Sequence, residues 1–349
     1  MADAPLGVGI VGYGLAGRSF HAPFIEATEG LELRAIVTAD RSRAARAAAE
    51  HPASKVVPTV DALLDRAGID IVVVAAPNRA HVPIAVRALE NGRHVIVDKP
   101  IATSVADAER LIDTAVRSSR LFSVYQNRRW DGDFLTVRRL IDEGALGPLD
   151  SVEARFERLA EVDPVWREDV GERGGPLPDL GAHLLDQALL LLGPARRVWS
   201  QAARRRPGSR VDDSVFVALD HADGRWSRTW VSLIASHVGP RLRVRGLTGE
   251  YVKHDLDPQE AHLLSGMRPR TPGFGVEPPD RAGRLHVHGT SRAVVSEVGD
   301  YTRFYEGFRD AVLGIGRVPV DPCDSLAVLR LIDAAERSSA TGSVVTLDA

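Results

Sequence analysis

A single cysteine, Cys323, stands in a chain of 349 residues. One thiol excludes an intrachain disulfide and any zinc site built on several cysteines, and it suits a reducing cytoplasm. Net charge is scarce too. Basic residues number 44 and acidic ones 47, interspersed, and the resulting -3 gives no field for nucleic acid or an anionic membrane. The one dense basic run, Arg204-Arg205-Arg206, reads as an exposed strand end. The opening Met1-Ala2-Asp3-Ala4-Pro5 has neither a positive segment nor an apolar one ahead of the first strand. Neither a signal peptide nor a membrane span is expected, and no internal repeat is present. What remains is an ordinary globular chain of a length that suits two domains.

From Leu6 to about Gln126, apolar runs alternate with Ala-rich and charged segments of helical spacing, the pattern of βαβ units around a parallel sheet. Strands are predicted at Gly7 to Val11, Leu31 to Val37, Ile69 to Ala75, His94 to Val97 and Leu121 to Tyr125. Their apolar character fits a sheet covered on both faces, so residues 1–126 read as a doubly wound α/β domain of the nucleotide-binding kind. After Asn127 the texture changes. Alternating segments at Ser151 to Phe156, Ser214 to Leu219 and Trp226 to Ile234 predict half-buried antiparallel strands, interrupted by a helix from Leu180 to Leu192 that Gly193-Pro194 stops. The stretch His254 to Gly289 reads as a long irregular excursion with one short helix after Pro258. Helices at Phe304 to Leu313 and Asp324 to Ser338 and a strand at Val344 to Leu347 close the second domain, residues 127–349.

The run Gly12-Tyr13-Gly14-Leu15-Ala16-Gly17 follows a strand and opens a helix. In that context the first Gly permits the tight turn, the second lets a pyrophosphate approach the backbone, and the third lets helix and strand pack; glycines used only for a turn are the alternative. Where an acidic residue would hold the ribose of NAD, the second strand runs out at Thr38, with Arg41 and Arg43 at hand for a 2′-phosphate and Asp40 able to point away or recruit the ribose. The balance leans to NADP over NAD. Ala76-Pro77-Asn78 and His81 follow another strand end; Asn78 either bonds a ribose or amide of the cofactor or caps the helix that begins near His81. Asp98-Lys99-Pro100 ends a further strand, which aims an ammonium at cofactor and substrate unless it is a surface turn.

A second cluster is Asp179, His183 and Asp186, spaced so that they share one helix face opposite Leu180, Leu184, Leu185 and Leu189. A carboxylate about 6 Å along the axis from an imidazole raises the ring's proton affinity and orients it, as proton transfer requires. The alternative makes Asp179 a helix cap and His183 a solvated residue. The residues do not complete a metal site, and none is expected.

In this order, Gly12-x-Gly14-x-x-Gly17, Asp98-Lys99-Pro100 and Asp179-x-x-x-His183 resemble the Gfo/Idh/MocA family of NAD(P)-dependent oxidoreductases, essentially end to end. The runs Val124 to Leu135, Trp166-Arg167-Glu168 and Leu256 to Glu260 resemble the bacterial subgroup that contains NADP-dependent scyllo-inositol dehydrogenases. Asp98 stands where the family usually has Glu, Gln126 where a His is common, and His254-Asp255 where Tyr-Gly is found. The resemblance implies a Rossmann domain followed by an α+β domain whose large open sheet joins copies of the chain into a homodimer or homotetramer. It implies roles for Lys99, Asp179 and His183 in reversible hydride transfer between a nicotinamide and a secondary alcohol of a cyclic polyol or sugar. Arg128, Trp130, Trp166 and Arg167 are candidates for the substrate side, since indoles cover the C–H face of a ring and guanidinium donors suit paired hydroxyls. Aromatic core and surface ion pairs are the alternative for those four. A reductase of an anhydro-sugar or other sugar-derived dicarbonyl, and a dinucleotide sensor without chemistry, are the competing functions.

Overall fold

The computed structural model describes residues 4–162 and 168–347. Trp166 and Arg167 lie outside the described residues. The chain falls into two compact units, and neither is a continuous stretch: residues 1–127 are joined by 260–274 and 300–326, and residues 128–259 by 275–299 and 327–349.

In the first unit, six strands lie in the order β3-β2-β1-β4-β5-β6, with all pairings parallel: β1 (Leu6–Val11), β2 (Leu31–Val37), β3 (Lys55–Val57), β4 (Ile71–Val74), β5 (His94–Asp98) and β6 (Phe122–Tyr125). Strand order reverses between β1 and β4, and in such sheets ligands gather at that switch, beyond the carboxyl ends of the strands. β4 is buried at every residue, as a strand covered on both faces must be. The helix Arg41–Glu50 starts where Asp40 Oδ1 accepts the Arg43 N–H at 2.8 Å, and the helix Val105–Arg117 where Ser104 Oγ accepts the Asp107 N–H at 3.2 Å. The returning segments are integral to this unit. Tyr301 packs on Phe24, and Ser123 Oγ donates to the Val320 carbonyl at 2.7 Å.

The second unit holds a nine-stranded sheet in the order β14-β13-β12-β11-β7-β10-β9-β8-β15. Its strands are β7 (Leu149–Glu157), β8 (Ala195–Ala203), β9 (Ser214–His221), β10 (Trp226–Ser232), β11 (Leu242–Gly246), β12 (Gly249–Lys253), β13 (Gly283–Val287), β14 (Thr290–Val294) and β15 (Val345–Thr346). Pairing is antiparallel except between β7 and β10, so the sheet is mixed and mainly antiparallel. β9 alternates strictly, with Val215, Val217 and Leu219 packed inward against Leu185, Leu331 and Ile332. The other face carries a half-buried aromatic row. Phe216 lies 5.7 Å from Trp199 and 5.0 Å from Trp230, ring centre to ring centre, and the Arg155 guanidinium stacks 3.8 Å above Trp230.

Three expectations need correction. The stretch 254–289 does contain a helix, Gln259–Leu264, but it also contains β13, which buries only Gly283 and Leu285 and so shows no apolar run. The helix read from Leu180 begins earlier, in a wide i→i+5 turn over Leu177–Gly181 that continues as Ala182–Leu192; Pro178 in its first turn has no N–H that the helix needs. In the basic run, Arg204 and Arg205 are exposed, whereas the Arg206 guanidinium is buried between Glu168 and Asp213, at 2.7 and 3.3 Å.

Candidate active site

In the first unit, the turn after β1 has the geometry its glycines require. Gly12 adopts φ +101, and a Cβ there would stand 2.4 Å from the Ala75 carbonyl oxygen; at Gly17 it would stand 2.0 Å from the Gly12 oxygen. At Gly14 a Cβ would meet nothing within 4 Å, so this position is open to an approaching phosphate. The first helical turn, Ala16–His21, contains no acidic residue to repel an anion. These residues fit a dinucleotide pyrophosphate. At Tyr13 only the backbone is left to face that turn, because its side chain is buried: the hydroxyl donates to Glu50 Oε2 at 2.6 Å and lies 2.7 Å from His51 Nε2. Burial, the hydrogen bond to Glu50 and the Glu50 charge push the Tyr13 phenol well above its usual range.

At the end of β2, Thr38 is half-buried and Arg41 and Arg43 are exposed. Asp40 is the cap of the following helix, and Arg41 is its first residue. Beyond β4, Asn78 is buried and opens a short turn, Asn78–Ala80, whose cap position is Pro77, and the helix His81–Glu90 follows with Ala80 at its cap position. His81 is buried, with Nδ1 2.9 Å from the Pro100 carbonyl and Nε2 2.9 Å from the Ala76 carbonyl. Both partners are acceptors, so making both bonds at once takes a ring with two N–H groups. His81 thereby ties the turn after β4 to the turn after β5.

That second turn is Asp98-Lys99-Pro100, with a cis Lys99-Pro100 peptide. Asp98 Oδ1 accepts the Lys99 N–H at 2.8 Å. Burial opposes the charged form of Asp98, but His21, whose Nε2 faces the carboxylate, and the fields of Lys99 and His81 outweigh it and hold the carboxyl below its ordinary value. No reading of the sequence singled out His21, whose polar partners lie far along the chain.

In the second unit, Asp179 and His183 are both buried, at 9% and 5% exposure, so His183 is no solvated surface residue. Nor does Asp179 cap the helix. It stands inside the wide turn, where Pro176 holds the cap position. A Cβ on Gly181 would come within 3.2 Å of Val231 Cγ2, so its absence lets this helix approach β10 closely. Farther along the same helix, Asp186 takes two hydrogen bonds from Arg129, and Gln187 is held by the Arg128 carbonyl at 2.9 Å and by Arg241 at 3.0 Å. Arg241 Nε also faces Asp133 Oδ2 at 3.4 Å. These ties fix the rotation of the helix and so the direction of His183. Arg128 is buried, with its guanidinium 3.3 Å from Asp131 and 5.1 Å from the Phe156 ring centre, so it is not a surface ion pair. Trp130 is half-buried, and its carbonyl accepts from Gln259. Among the described residues no cluster of three or more His, Cys, Asp or Glu is arranged to hold a metal ion, and no helix is long and apolar enough to cross a membrane.

A family model described as an oxidoreductase family with an NAD-binding Rossmann fold matches residues 6–126. The model of that family's C-terminal alpha/beta domain matches residues 138–347. The chain is 37% identical over 330 residues to the uncharacterized oxidoreductase YdgJ of Escherichia coli (strain K12), which covers 93% of this chain and 94% of that protein. It is 30% identical over 346 residues to the scyllo-inositol 2-dehydrogenase (NADP(+)) IolW of Bacillus subtilis (strain 168), covering 98% and 96%. The solved structure of the oxidoreductase yvaA from Bacillus subtilis superposes with a TM-score of 0.95 at 29% identity, over 100% of both chains. Cradle, sheet order and matched domains agree: the chain belongs to the Gfo/Idh/MocA family and is an oxidoreductase whose first domain is an NAD(P)-binding Rossmann fold.

Proposed function

We propose that this enzyme interconverts a secondary alcohol and its ketone on a cyclic polyol or sugar, of the inositol type and with scyllo-inositol favoured, and that it prefers NADP to NAD. The observation that carries the reading is the buried Asp179 and His183 pair on a helix locked in register by Arg129 and Arg241. A bound nicotinamide would supply the hydride acceptor or donor for the carbinol carbon. The chain's own residues handle proton and charge. His183 accepts the hydroxyl proton, Asp179 orients and polarises the ring, and Lys99 hydrogen-bonds the carbinol oxygen and offsets its developing negative charge.

The backbone from Gly12 through Tyr13, Gly14, Leu15 and Ala16 to Gly17 receives the pyrophosphate. Ala76, Pro77, Asn78 and Asp98 hold the nicotinamide end, and His81 steadies the turn they stand on. Because Asp40 is engaged as a helix cap, Thr38 and Arg41 are left to meet the adenosine ribose, which favours a 2′-phosphate there. Arg128, Trp130, Trp166 and Arg167 stand as substrate-side candidates. The relative named as an NADP-dependent scyllo-inositol 2-dehydrogenase supports both the substrate class and the cofactor. The aromatic row of Trp199, Phe216 and Trp230 supports a homodimer or homotetramer formed through the sheet, and the exposed thiol of Cys323 accords with a cytoplasmic protein.

The test is a screen of NADP and NAD reduction across inositols, pentoses and hexoses. Turnover of an inositol with NADP is the expected result; turnover confined to open sugars would reassign the substrate. Tight dinucleotide binding with no polyol or sugar turned over would overturn the reading.

A further inference from the structure

His21 ends the helical turn that follows the glycine loop, and its side chain is fully buried. Nδ1 lies 2.5 Å from the Tyr305 hydroxyl, and Nε2 lies 3.5 Å from Asp98 Oδ2 with no shorter polar contact. A carboxylate offers only lone pairs, so the ring nitrogen that faces Asp98 carries the proton. In a neutral ring Nδ1 is then the acceptor, and the Tyr305 hydroxyl is its donor. Burial, with Tyr125 and Asp98 adding to it, pushes the Tyr305 phenol well above its usual value, so it keeps the proton that this bond needs.

Ring packing holds the line in place. Tyr125 lies 4.5 Å from His21 and 5.7 Å from Tyr305, ring centre to ring centre, and Phe304 lies 5.5 Å from Tyr305. Besides the His21 ring, the groups that face Asp98 are Lys99 and His81, whose positive fields favour its ionised form. At 3.5 Å the contact to Asp98 is long for a hydrogen bond, as such bonds often are before a ligand draws a site together. The other oxygen of that carboxylate holds the Lys99 N–H.

We infer that His21 and Tyr305 are positioning residues for the proposed reaction. Tyr305 O–H donates to His21 Nδ1, His21 Nε2–H faces Asp98, and Asp98 fixes the backbone turn that presents Lys99. The inference rests on the reading of Lys99 as the active-site ammonium. It gives a structural reason for the return of residues 300–326 to the first unit: that segment brings the phenol which sets the tautomer of His21.

Long-range proton-nitrogen correlation spectra of the free protein read the tautomer directly. The Nε2–H form is expected in the wild type and a mixture of tautomers in Y305F; a wild-type ring in the Nδ1–H form, or one protonated on both nitrogens, overturns the relay. Turnover of the polyol identified by the screen is then compared for Y305F in the wild-type and K99A backgrounds. Y305F should lower kcat on the order of ten- to hundredfold at unchanged dinucleotide Kd, with only the modest loss of Tm that one buried hydrogen bond brings, and should add no further loss to K99A. An equal loss in both backgrounds, or wild-type kcat in Y305F, overturns the inference. K99A with wild-type turnover would sink the reading of Lys99 and the relay's role with it, a result distinct from failure of Y305F alone. Should Y305F not fold, H21Q is read in the same two backgrounds, with the same outcomes.

Discussion

Arg129 grips Asp186 with two parallel hydrogen bonds, Nε to Oδ2 at 2.8 Å and Nη2 to Oδ1 at 2.6 Å, three residues beyond His183 on the same helix. Both side chains are buried, at 9% and 2% exposure. Removing one partner of such a pair leaves a buried charge uncompensated and costs about 3–5 kcal/mol. R129M is therefore expected to lose that much stability in urea denaturation and to lose turnover as well. The double variant R129M/D186L should regain most of the stability, because well-packed apolar residues replace a buried pair at little cost. Turnover in the double variant should stay low if the pair also aims His183.

Removal of the proposed base is the second test. H183A should lower kcat by about 100- to 10,000-fold, the usual worth of general acid-base catalysis, with dinucleotide Kd unchanged. Steady-state kinetics and quenching of protein fluorescence by the reduced cofactor measure the two quantities. An unaffected kcat would remove His183 from the mechanism.

Cofactor choice is tested at Arg41, which is exposed at the first position of its helix. R41A is expected to weaken NADP binding about tenfold and leave NAD binding unchanged, since a charge-assisted hydrogen bond contributes roughly 1.5–3 kcal/mol and less at an exposed position. The discrimination should shrink as salt is raised. Equal affinity of wild type and variant for NADP would refute the assignment.

Asp257 sets an unusual pH dependence. Its carboxyl is pushed up to about 6, chiefly by burial and further by Asp133, even though the backbone N–H groups of Gly132 and Gln259 bind it. Its ordinary value is 3.8, so the folded protein holds a proton that the unfolded chain releases between about pH 4 and 6. The stability this group contributes is complete below about pH 4 and is lost as pH rises through 6, a change of about 3 kcal/mol. D257N does not titrate. The Tm of the wild type minus that of D257N should therefore fall between pH 4.5 and pH 7, and a rise over that range would contradict the burial effect.

Much of the first sheet was legible because fully buried strands betray themselves as apolar runs, as β4 and β5 do. The cradle was legible because only glycine permits the approaches found at Gly12 and Gly17. β13 and β14 were not: together they bury Gly283, Leu285 and Val294, so neither shows an apolar run, and the alternation of β13 spans only five residues. Asp179 and His183 were legible through helical spacing, whereas Arg129, in the same run as Arg128, was passed over because ion-pair partners 57 residues apart leave no local trace. The same holds for His21 and Tyr305, separated by 284 residues. Spacing along one helix is visible in a sequence; tertiary pairing is visible only once the chain has folded.

The return of residues 300–326 to the first unit bears on how the protein is made. His21 lacks its phenol, Ser123 its carbonyl acceptor and Phe24 one of its aromatic neighbours until that segment exists. Domains often complete themselves in order as a chain leaves the ribosome. Here the nucleotide-binding half begins first and is finished only after nearly the whole second half has been synthesised, so cutting the gene after residue 126 would leave that half with its aromatic interior open.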